Sequence, residues 1–393
     1  MVVLAFLCLG LLVAQGSAAL ILLSRLLRGA TRRPPLSPIA PGAIPANSVS
    51  VVVPTLNEVE RLDPCLAGLH RQGEVLREVL VVDSRSQDGT REKVLAMGAR
   101  DGRFKLLTDD PLPSGWVGRP WALNYGFRHS HPDSEWILGL DADTQPQPGL
   151  LEAIVEAARE DKYDLLSLSP QFILRSPQEW WLQPALLMTL LYRFDSAGVR
   201  ANEPQRVMAN GQCFLARRRV LEALGGYEAA RQSFCDDVTL ARFAAQQGFS
   251  VGFLDGAKVL KVRMYEGVGE LWREWGRSLD LKDATTPTQL WTDVIFLGLT
   301  QALPLPALIT LGLWAGQGYN FPTLQGAIAL NGFLLLIRWA LLLAISPSYE
   351  REKGEKLASL AFWLSPLADP LAVLRIYLSA QQTPQQWRGR YYP

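Results

Sequence analysis

Histidine is scarce in this 393-residue chain: His70, His129 and His131 are too few and too loosely placed for a histidine-based metal centre. The four cysteines, Cys8, Cys65, Cys213 and Cys235, have neither paired nor metal-type spacing, so nothing suggests a disulfide framework or a zinc site. Excess charge is lacking too. Thirty-nine Lys and Arg face 38 Asp and Glu, a formal balance of +1, and no electrostatic case exists for a nucleic-acid partner. Length alone allows two domains.

Long apolar runs are what the chain has in quantity. Residues 2–24 carry no charge and are long enough to cross a bilayer. A cleaved signal peptide is the rival reading, since AQGSAA supplies small residues. No basic segment precedes the run, however, and it continues through ALILLSRLL, so a retained anchor is expected over 1–27. Arg25, Arg28, Arg32 and Arg33 follow and place the next domain in the cytoplasm. Residues 294–315 and 324–346 are again near spanning length, and Arg351, Lys353 and Lys356 mark the loop after them as cytoplasmic. A third run, 357–380, is interrupted by Pro366, Asp369 and Pro370 and contains Arg375; spanning and re-entrant courses both fit it.

The middle of the chain is different. A Pro-rich stretch reads as a linker, 28–48, ahead of a soluble domain over 49–260. SVSVVVPT, EVLVVD, FKLLT and WILGLD are strand-like and alternate with helical patterns at 57–72 and 91–98. Continuous apolar strands with helices between them predict an α/β domain, its parallel sheet covered on both faces. Ligands of such sheets bind at the carboxyl ends of the strands. Those ends carry Asn57 and Glu58, Asp83, and Asp141. Ser176, Pro177 and Glu179 make a capping box for the helix WWLQPALLMTLLYRF, which suits either a membrane interface or a buried core. An interfacial amphipathic segment follows at 261–290, where Leu271, Trp272, Trp275 and Leu279 share one helical face. A membrane region over 291–380 and a tail over 381–393 complete the division.

Three short motifs carry candidate chemistry. Asp141 and Asp143 flank one alanine; a surface turn explains them, and so does a hard divalent ion, which takes one or two carboxylates plus phosphate and water. Asp236 and Asp237 begin a helix ending near Gly248, where they serve either the helix dipole or a general base. PLPSGWVGRPWALNYGF offers glycines for close backbone approach and Arg119 for a phosphate, or else a plain surface loop.

Taken in order, Pro54-Thr-Leu-Asn57-Glu58, Asp83, Asp88-Gly89-Thr90, GRPWALNYG, LDADT and CDD resemble the family 2 glycosyltransferases over roughly 49–260. The resemblance implies a GT-A fold, a nucleotide-sugar donor and Mg²⁺ or Mn²⁺. It places Pro54, Asn57 and Glu58 near the nucleotide, Asp83 at its base or ribose, and Arg119 where the family often has lysine, with Asn124 and Gly126 matching. It makes Asp143 the main metal ligand, Asp141 its partner at metal or ribose, and Asp237 the catalytic base. Asp236 stands in place of the family's glutamate. Gly211 and Gln212, in NGQCFLARR, and Gly225-Gly226-Tyr227 resemble the loop and turn beside the acceptor.

The chain departs from the family's processive synthases. Their Q/R-x-x-R-W motif is not matched in register by ELWREWGRSLD, although Arg273, Trp275 and Arg277 lie there. The tail WRGRYY, with Trp387 and Arg390, and GWVGRPWAL resemble membrane-bound members acting on carotenoids or hopanoid-type lipids. The resemblance thus implies an inverting, metal-dependent hexosyltransferase acting on a membrane lipid, a carotenoid first. A hopanoid- or ceramide-type enzyme and a cell-surface polysaccharide synthase are the alternatives.

Overall fold

The computed structural model describes residues 1–393 except 41, 43, 202, 276–278, 280, 351–355, 382–385, 388–389 and 392–393. The chain divides into two compact units, one of Met1–Thr31, Leu174–Ser196 and Tyr265–Thr383, the other of Arg32–Ile173, Ala197–Met264 and Pro384–Pro393.

The second unit is built on its strands. β1 (Val49–Thr55), β2 (Leu76–Asp83), β3 (Phe104–Thr108) and β4 (Trp136–Leu140) come first in the chain, followed by β5 (Thr144–Pro146), β6 (Leu165–Ser169) and β7 (Gln171–Phe172). β8 (Cys213–Arg217), β9 (Val251–Asp255) and β10 (Leu260–Val262) follow. Seven of them form one sheet in the order β3-β2-β1-β4-β8-β6-β9. β1 runs parallel to β2 and β4, β2 to β3, and β6 to β9, while β8 is antiparallel to both β4 and β6. The sheet is therefore mostly parallel, as the apolar strand runs predict.

Alternation along β1 explains why those runs are apolar throughout. Val51 and Val53 join a cluster with Leu62, Leu66 and Leu69 of the Leu62–His70 helix. Val52 points the other way, into a cluster with Ala122, Leu123 and Phe127 of the Gly118–His129 helix. Both faces are thus covered. Each fully buried valine contributes about 1.5–3 kcal/mol. The second contact is so close that a Cβ on Gly126 would stand 2.3 Å from Val52 Cγ1. The segment after Thr31 is irregular in outline, but Leu36 and Ile44 are buried in the first cluster, and Leu36 N–H donates to Asp255 O at 2.8 Å. A small sheet, β5-β10-β7, lies directly after the two aspartates of LDADT.

The first unit is helical. Val2–Thr31 and Pro322–Ser348 are each long and apolar enough to cross a membrane, with mean hydropathy of 2.3 and 2.2. Two further pairs, Pro287–Ala302 with Pro304–Gly316 and Leu357–Trp363 with Ser365–Gln381, pass the same test jointly but bend by 49° and 57°. Several polar side chains inside this unit pair with one another. Gln15 and Asn331 exchange carboxamide hydrogen bonds of 2.9 Å in both directions. Arg338 grips Asp369 through Nε and Nη2 at 2.8 and 2.9 Å. Both side chains are buried, and such pairing is the condition on which ionised groups persist out of water.

The helix Pro177–Arg193 carries the expected capping box, with Ser176 accepting from Glu179 N–H and Glu179 accepting from Ser176 N–H. Of its two readings the structure favours the buried one: Trp180, Ala185, Leu186, Met188 and Tyr192 are all core residues of this unit. Of the amphipathic segment expected over 261–290, residues 276–278 and 280 lie outside the described residues. Gly267–Glu270 is α-helical, Leu271–Trp275 winds more widely as a π-helix, and Leu271 and Trp275 are buried. Glycines at 267 and 269 weaken the α-helix there.

Candidate active site

Chain direction brings the motifs to one edge of the sheet. β4 ends at Leu140, and Asp141 and Asp143 follow with Ala142 buried between them. Both aspartates lie in the turn between β4 and β5. Thr144 fixes the turn, donating from Oγ1 to Asp141 O at 2.6 Å, while β5 pairs with β10 in the small sheet. Arg263 N–H, just past β10, donates to Asp143 O at 3.3 Å.

Arg119 lies in the first turn of the Gly118–His129 helix and is largely buried. Its Nε and Nη2 donate to Asp141 Oδ1 at 3.0 and 2.8 Å, Nη2 also donates to Gly211 O at 2.7 Å, and Nη1 donates to Asp236 Oδ2. Burial disfavours its charge, but Asp141, Asp236 and Asp237 reverse that and hold its pKa well above the usual value. Arg119 is thus a hub joining LDADT to the loop at 210–212 and to the helix Asp236–Gln246. The sequence suggests Arg119 as a phosphate partner; this inward role was missed, because the carboxylates it binds lie 22 and 117 residues away.

Asp237 belongs to the same contact chain. Its Oδ2 accepts from Gly211 N–H at 2.6 Å and its Oδ1 from Val238 N–H at 2.9 Å. Burial first, and the Asp236 charge second, push its pKa up to about 6, against the opposing pull of Arg119 and the two amides. Asp236 is also raised by burial, although Arg119 opposes the shift. A half-buried carboxylate with this affinity is suited to accept a proton near neutral pH. A Cβ on Gly211 would stand 2.6 Å from Arg119 Nη2, so a side chain there would displace the guanidinium. The loop is shaped by Asn210, whose Oδ1 accepts from Gln212 N–H at 3.0 Å, an Asx turn legible in the letters NGQ. Gln212 is buried, and its Oε1 accepts from Asn210 Nδ2 at 3.0 Å.

A second group gathers at the ends of β1 and β2. Asn57, at φ +56°, accepts from Gln87 N–H through Oδ1 at 2.9 Å and donates its own N–H to Ser86 Oγ at 2.8 Å. Glu58 is buried and donates its N–H to Thr90 Oγ1 at 2.9 Å. Asp83 is fully buried, with Oδ2 taking Ser86 N–H at 3.1 Å and Arg91 Nη1 at 2.9 Å. Pro54 sits in β1 beside Val82 of β2. Asn124 serves the scaffold: it is fully buried, and its Oδ1 accepts from Tyr227 N–H at 3.2 Å. A Cβ on Gly226, at φ +79°, would stand 2.2 Å from that same oxygen.

Trp275 belongs to the helical unit. Arg277 lies outside the described residues. Trp387 and Arg390 pair with each other across β11 (Gln386–Trp387) and β12 (Arg390–Tyr391), which are antiparallel.

The residues fit a divalent ion by charge and donor type. Asp141, Asp236 and Asp237 surround the single guanidinium of Arg119, and Asp143 adds another carboxylate two residues from Asp141. Among the described residues no three His, Cys, Asp or Glu side chains make a complete cage. A hard ion that keeps water and takes substrate phosphate needs one or two carboxylates rather than a cage.

Residues 50–225 match the family model described as glycosyl transferase family 2. The chain is 25% identical over 251 residues to a 4,4'-diaponeurosporenoate glycosyltransferase of Staphylococcus haemolyticus (strain JCSC1435), covering 63% of this chain and 65% of that protein. It is 33% identical over 129 residues to an undecaprenyl-phosphate 4-deoxy-4-formamido-L-arabinose transferase of Klebsiella pneumoniae (strain 342), covering 31% of this chain and 36% of that one. Each match spans less than two thirds of the relative's length. A mannosyltransferase from Pyrobaculum calidifontis, solved with GDP-Man and Mn²⁺, aligns over 96% of this chain and 99% of its own, with a TM-score of 0.51 and 19% identity. At that identity the likeness concerns the fold, which is GT-A.

Proposed function

Because this chain belongs to glycosyl transferase family 2 through residues 50–225, we propose that it is an inverting glycosyltransferase that moves a sugar from a nucleotide-sugar to a hydroxyl of a membrane lipid, a carotenoid first among them. The observation that carries this reading is the contact chain from Asp141 through Arg119 and Gly211 to Asp237. It sets a carboxylate of raised proton affinity beside the strand-end aspartates.

In this reading the donor lies along the β1 and β2 ends, near Pro54, Asn57, Glu58 and Asp83. Asp237 takes the proton of the acceptor hydroxyl as its oxygen attacks the anomeric carbon. The bond from that carbon to the diphosphate breaks on the opposite face, so configuration inverts and the nucleoside diphosphate leaves. Asp143, with Asp141, would hold Mg²⁺ or Mn²⁺, which when bound supplies neutralisation of charge on the departing diphosphate. Arg119 keeps Asp141 and Asp236 in place while this happens. The lipid acceptor is supported by the diaponeurosporenoate relative and by the two helices apolar enough to span a membrane. The arginines following the first of them support a cytoplasmic catalytic domain.

A second reading is favoured by the undecaprenyl-phosphate relative. A phosphate acceptor is already anionic, so it needs no base, and Asp237 becomes dispensable. Two measurements separate the readings. Mass spectrometry of lipid and pigment extracts, with and without the gene, should show one glycosylated carotenoid disappear. Asp237→Asn should abolish transfer and leave donor binding intact. Unchanged turnover in that variant would exclude the hydroxyl reading and leave the phosphate one.

A further inference from the structure

Six leucines of the last bent helix pair, Leu357, Leu360, Leu364, Leu367, Leu371 and Leu374, are spaced 3, 4, 3, 4 and 3 apart and are between 40% and 64% exposed. They form one apolar stripe that continues across the 57° bend. The charged residues of 357–381, Asp369 and Arg375, face the other way and are buried. The stripe is therefore a lipid-facing surface; the open matter is whether this pair crosses the bilayer or returns to the side it started from.

Contacts within the helical unit decide it. The chain joins this unit to the sheet domain near Thr31, Leu174, Ser196 and Tyr265, and contacts tie these junctions in two pairs, Thr31 with Ser196 and Leu174 with Tyr265, at the two ends of the helix Pro177–Arg193. Arg25 donates to Tyr192 O at 3.0 Å, Arg28 pairs with Asp195 at 3.0 Å, and Glu179 accepts from Gly267 N–H at 2.7 Å. Val2–Thr31 and Pro322–Ser348 run in the same direction, since Thr323 donates to Ala5 O at 3.3 Å and Asn331 pairs with Gln15. Both helices thus end at the junction side, and Tyr349, just past the second, packs on Trp180 at 5.7 Å between ring centres. The bent pair starts seven residues later, at Lys356.

Its far end comes back. Arg375 donates to Trp272 O at 2.8 Å, and Lys282 donates to Ser379 O at 3.1 Å. Residues 272 and 282 lie between the Tyr265 junction and the Pro287 helix, on the side where the chain leaves the sheet domain. The bend itself is pinned deeper. Arg338 holds Asp369 and donates to Ser365 Oγ at 3.2 Å, and Gln301 donates to Asp369 Oδ1 at 3.0 Å. Arg338 is seven residues from the end of its helix at Ile345, about 10 Å at 1.5 Å per residue. That depth matches the level to which interfacial helices sink their apolar face.

We infer that 357–381 is a re-entrant element that enters one leaflet, turns at Ser365–Asp369 and leaves on the same side, seating its leucine stripe in the acyl chains of that leaflet. The backbone at its turn keeps internal hydrogen bonds, Leu364 N–H to Leu360 O and Leu367 N–H to Leu364 O, both at 3.0 Å, as a turn at membrane depth requires. The inference rests on membrane insertion of the two long helices and not on the glycosyl-transfer reading.

A depth profile tests it without turnover. Single cysteines placed at Leu357, Leu367 and Leu374 of the full-length protein in liposomes can carry a bimane, the four native cysteines being buried. Quenching by lipids brominated at set positions along the chain then reads depth. Leu367 should be the deepest and the other two shallower. A monotonic increase from Leu357 to Leu374 would overturn the inference in favour of a bent span. Impermeant maleimide should label Thr288→Cys and Gln381→Cys from one side and Gln317→Cys from the other. Labelling of positions 288 and 381 from opposite sides would overturn it as well.

Discussion

Gly211 and Arg119 are in contact at a distance no other residue at position 211 would allow. A Cβ on Gly211 would lie 2.6 Å from Arg119 Nη2 and 3.0 Å from its Cζ. The same glycine accepts from Arg119 through its carbonyl and donates to Asp237 through its amide. Gly211→Ala must therefore displace the guanidinium from Asp141 or the loop from Asp237. Misplacement by about 1 Å costs roughly 100-fold in rate. A loss of that order in kcat/KM is expected, with circular dichroism unchanged. Wild-type kinetics in this variant would remove the hub from the mechanism.

With Asp237 as the proposed base, the pH dependence of transfer follows from its proton affinity. Its pKa lies at about 6, raised by burial first and by Asp236 second. A base works deprotonated, so kcat/KM should level off above about 6 and fall tenfold per unit below it. Asp236→Asn removes the neighbouring negative charge and releases Arg119 from one of its anions. Both changes favour the ionised form of Asp237, and the acid limb should move to lower pH. An upward displacement of that limb would contradict the assignment of Asp236 as the raising charge.

Much of this was legible in the sequence, and the remainder has a definite cause. Val51, Val52 and Val53 gave the strand and its burial on both faces, because period 2 sends neighbours to opposite clusters. Ser176 and Glu179 gave a helix start, because a capping box is local. LDADT gave the carboxylate pair at a strand end. Arg119 joining Asp141 to Asp236 was not legible, because the contact depends on how β4, the Gly118 helix and the Asp236 helix pack. Asn124 shows the opposite limit: its place in GRPWALNYG suggested the donor, whereas its amide oxygen holds the Gly226–Tyr227 turn.

Asp143 and Asp141 should respond differently to substitution. Asp141 Oδ1 is already engaged by Arg119, so Asp141→Asn disturbs the hub as well as any ion. Asp143→Asn leaves the bond between Asp141 and Arg119 in place. We expect the purified enzyme to lose activity on chelation and recover it with Mn²⁺ or Mg²⁺. Asp143→Asn should raise the ion concentration needed for half activity by at least about tenfold, equal to about 1.4 kcal/mol of lost affinity. An unchanged metal requirement in Asp143→Asn would move the ion site elsewhere.

Arg338 and Asp369 are each 2% exposed or less, and each supplies two hydrogen-bonding atoms to the other. Removing one partner leaves the other charged, buried and short of its hydrogen bonds. Arg338→Met alone or Asp369→Leu alone should therefore destabilise the helical unit by about 3–5 kcal/mol. The double variant removes both charges together and avoids an unpaired ion. Isolated buried pairs of this kind are often replaced by apolar residues at little cost. Thermal unfolding of the full chain in detergent should accordingly show both single variants melting well below the wild type and the double variant recovering most of the loss. Gln301 and Ser365, which also bond to this pair, keep the recovery incomplete. If the double variant were as unstable as the sum of the two singles, the two side chains would not be coupled, and the pinning of the 57° bend would have to come from the surrounding apolar packing.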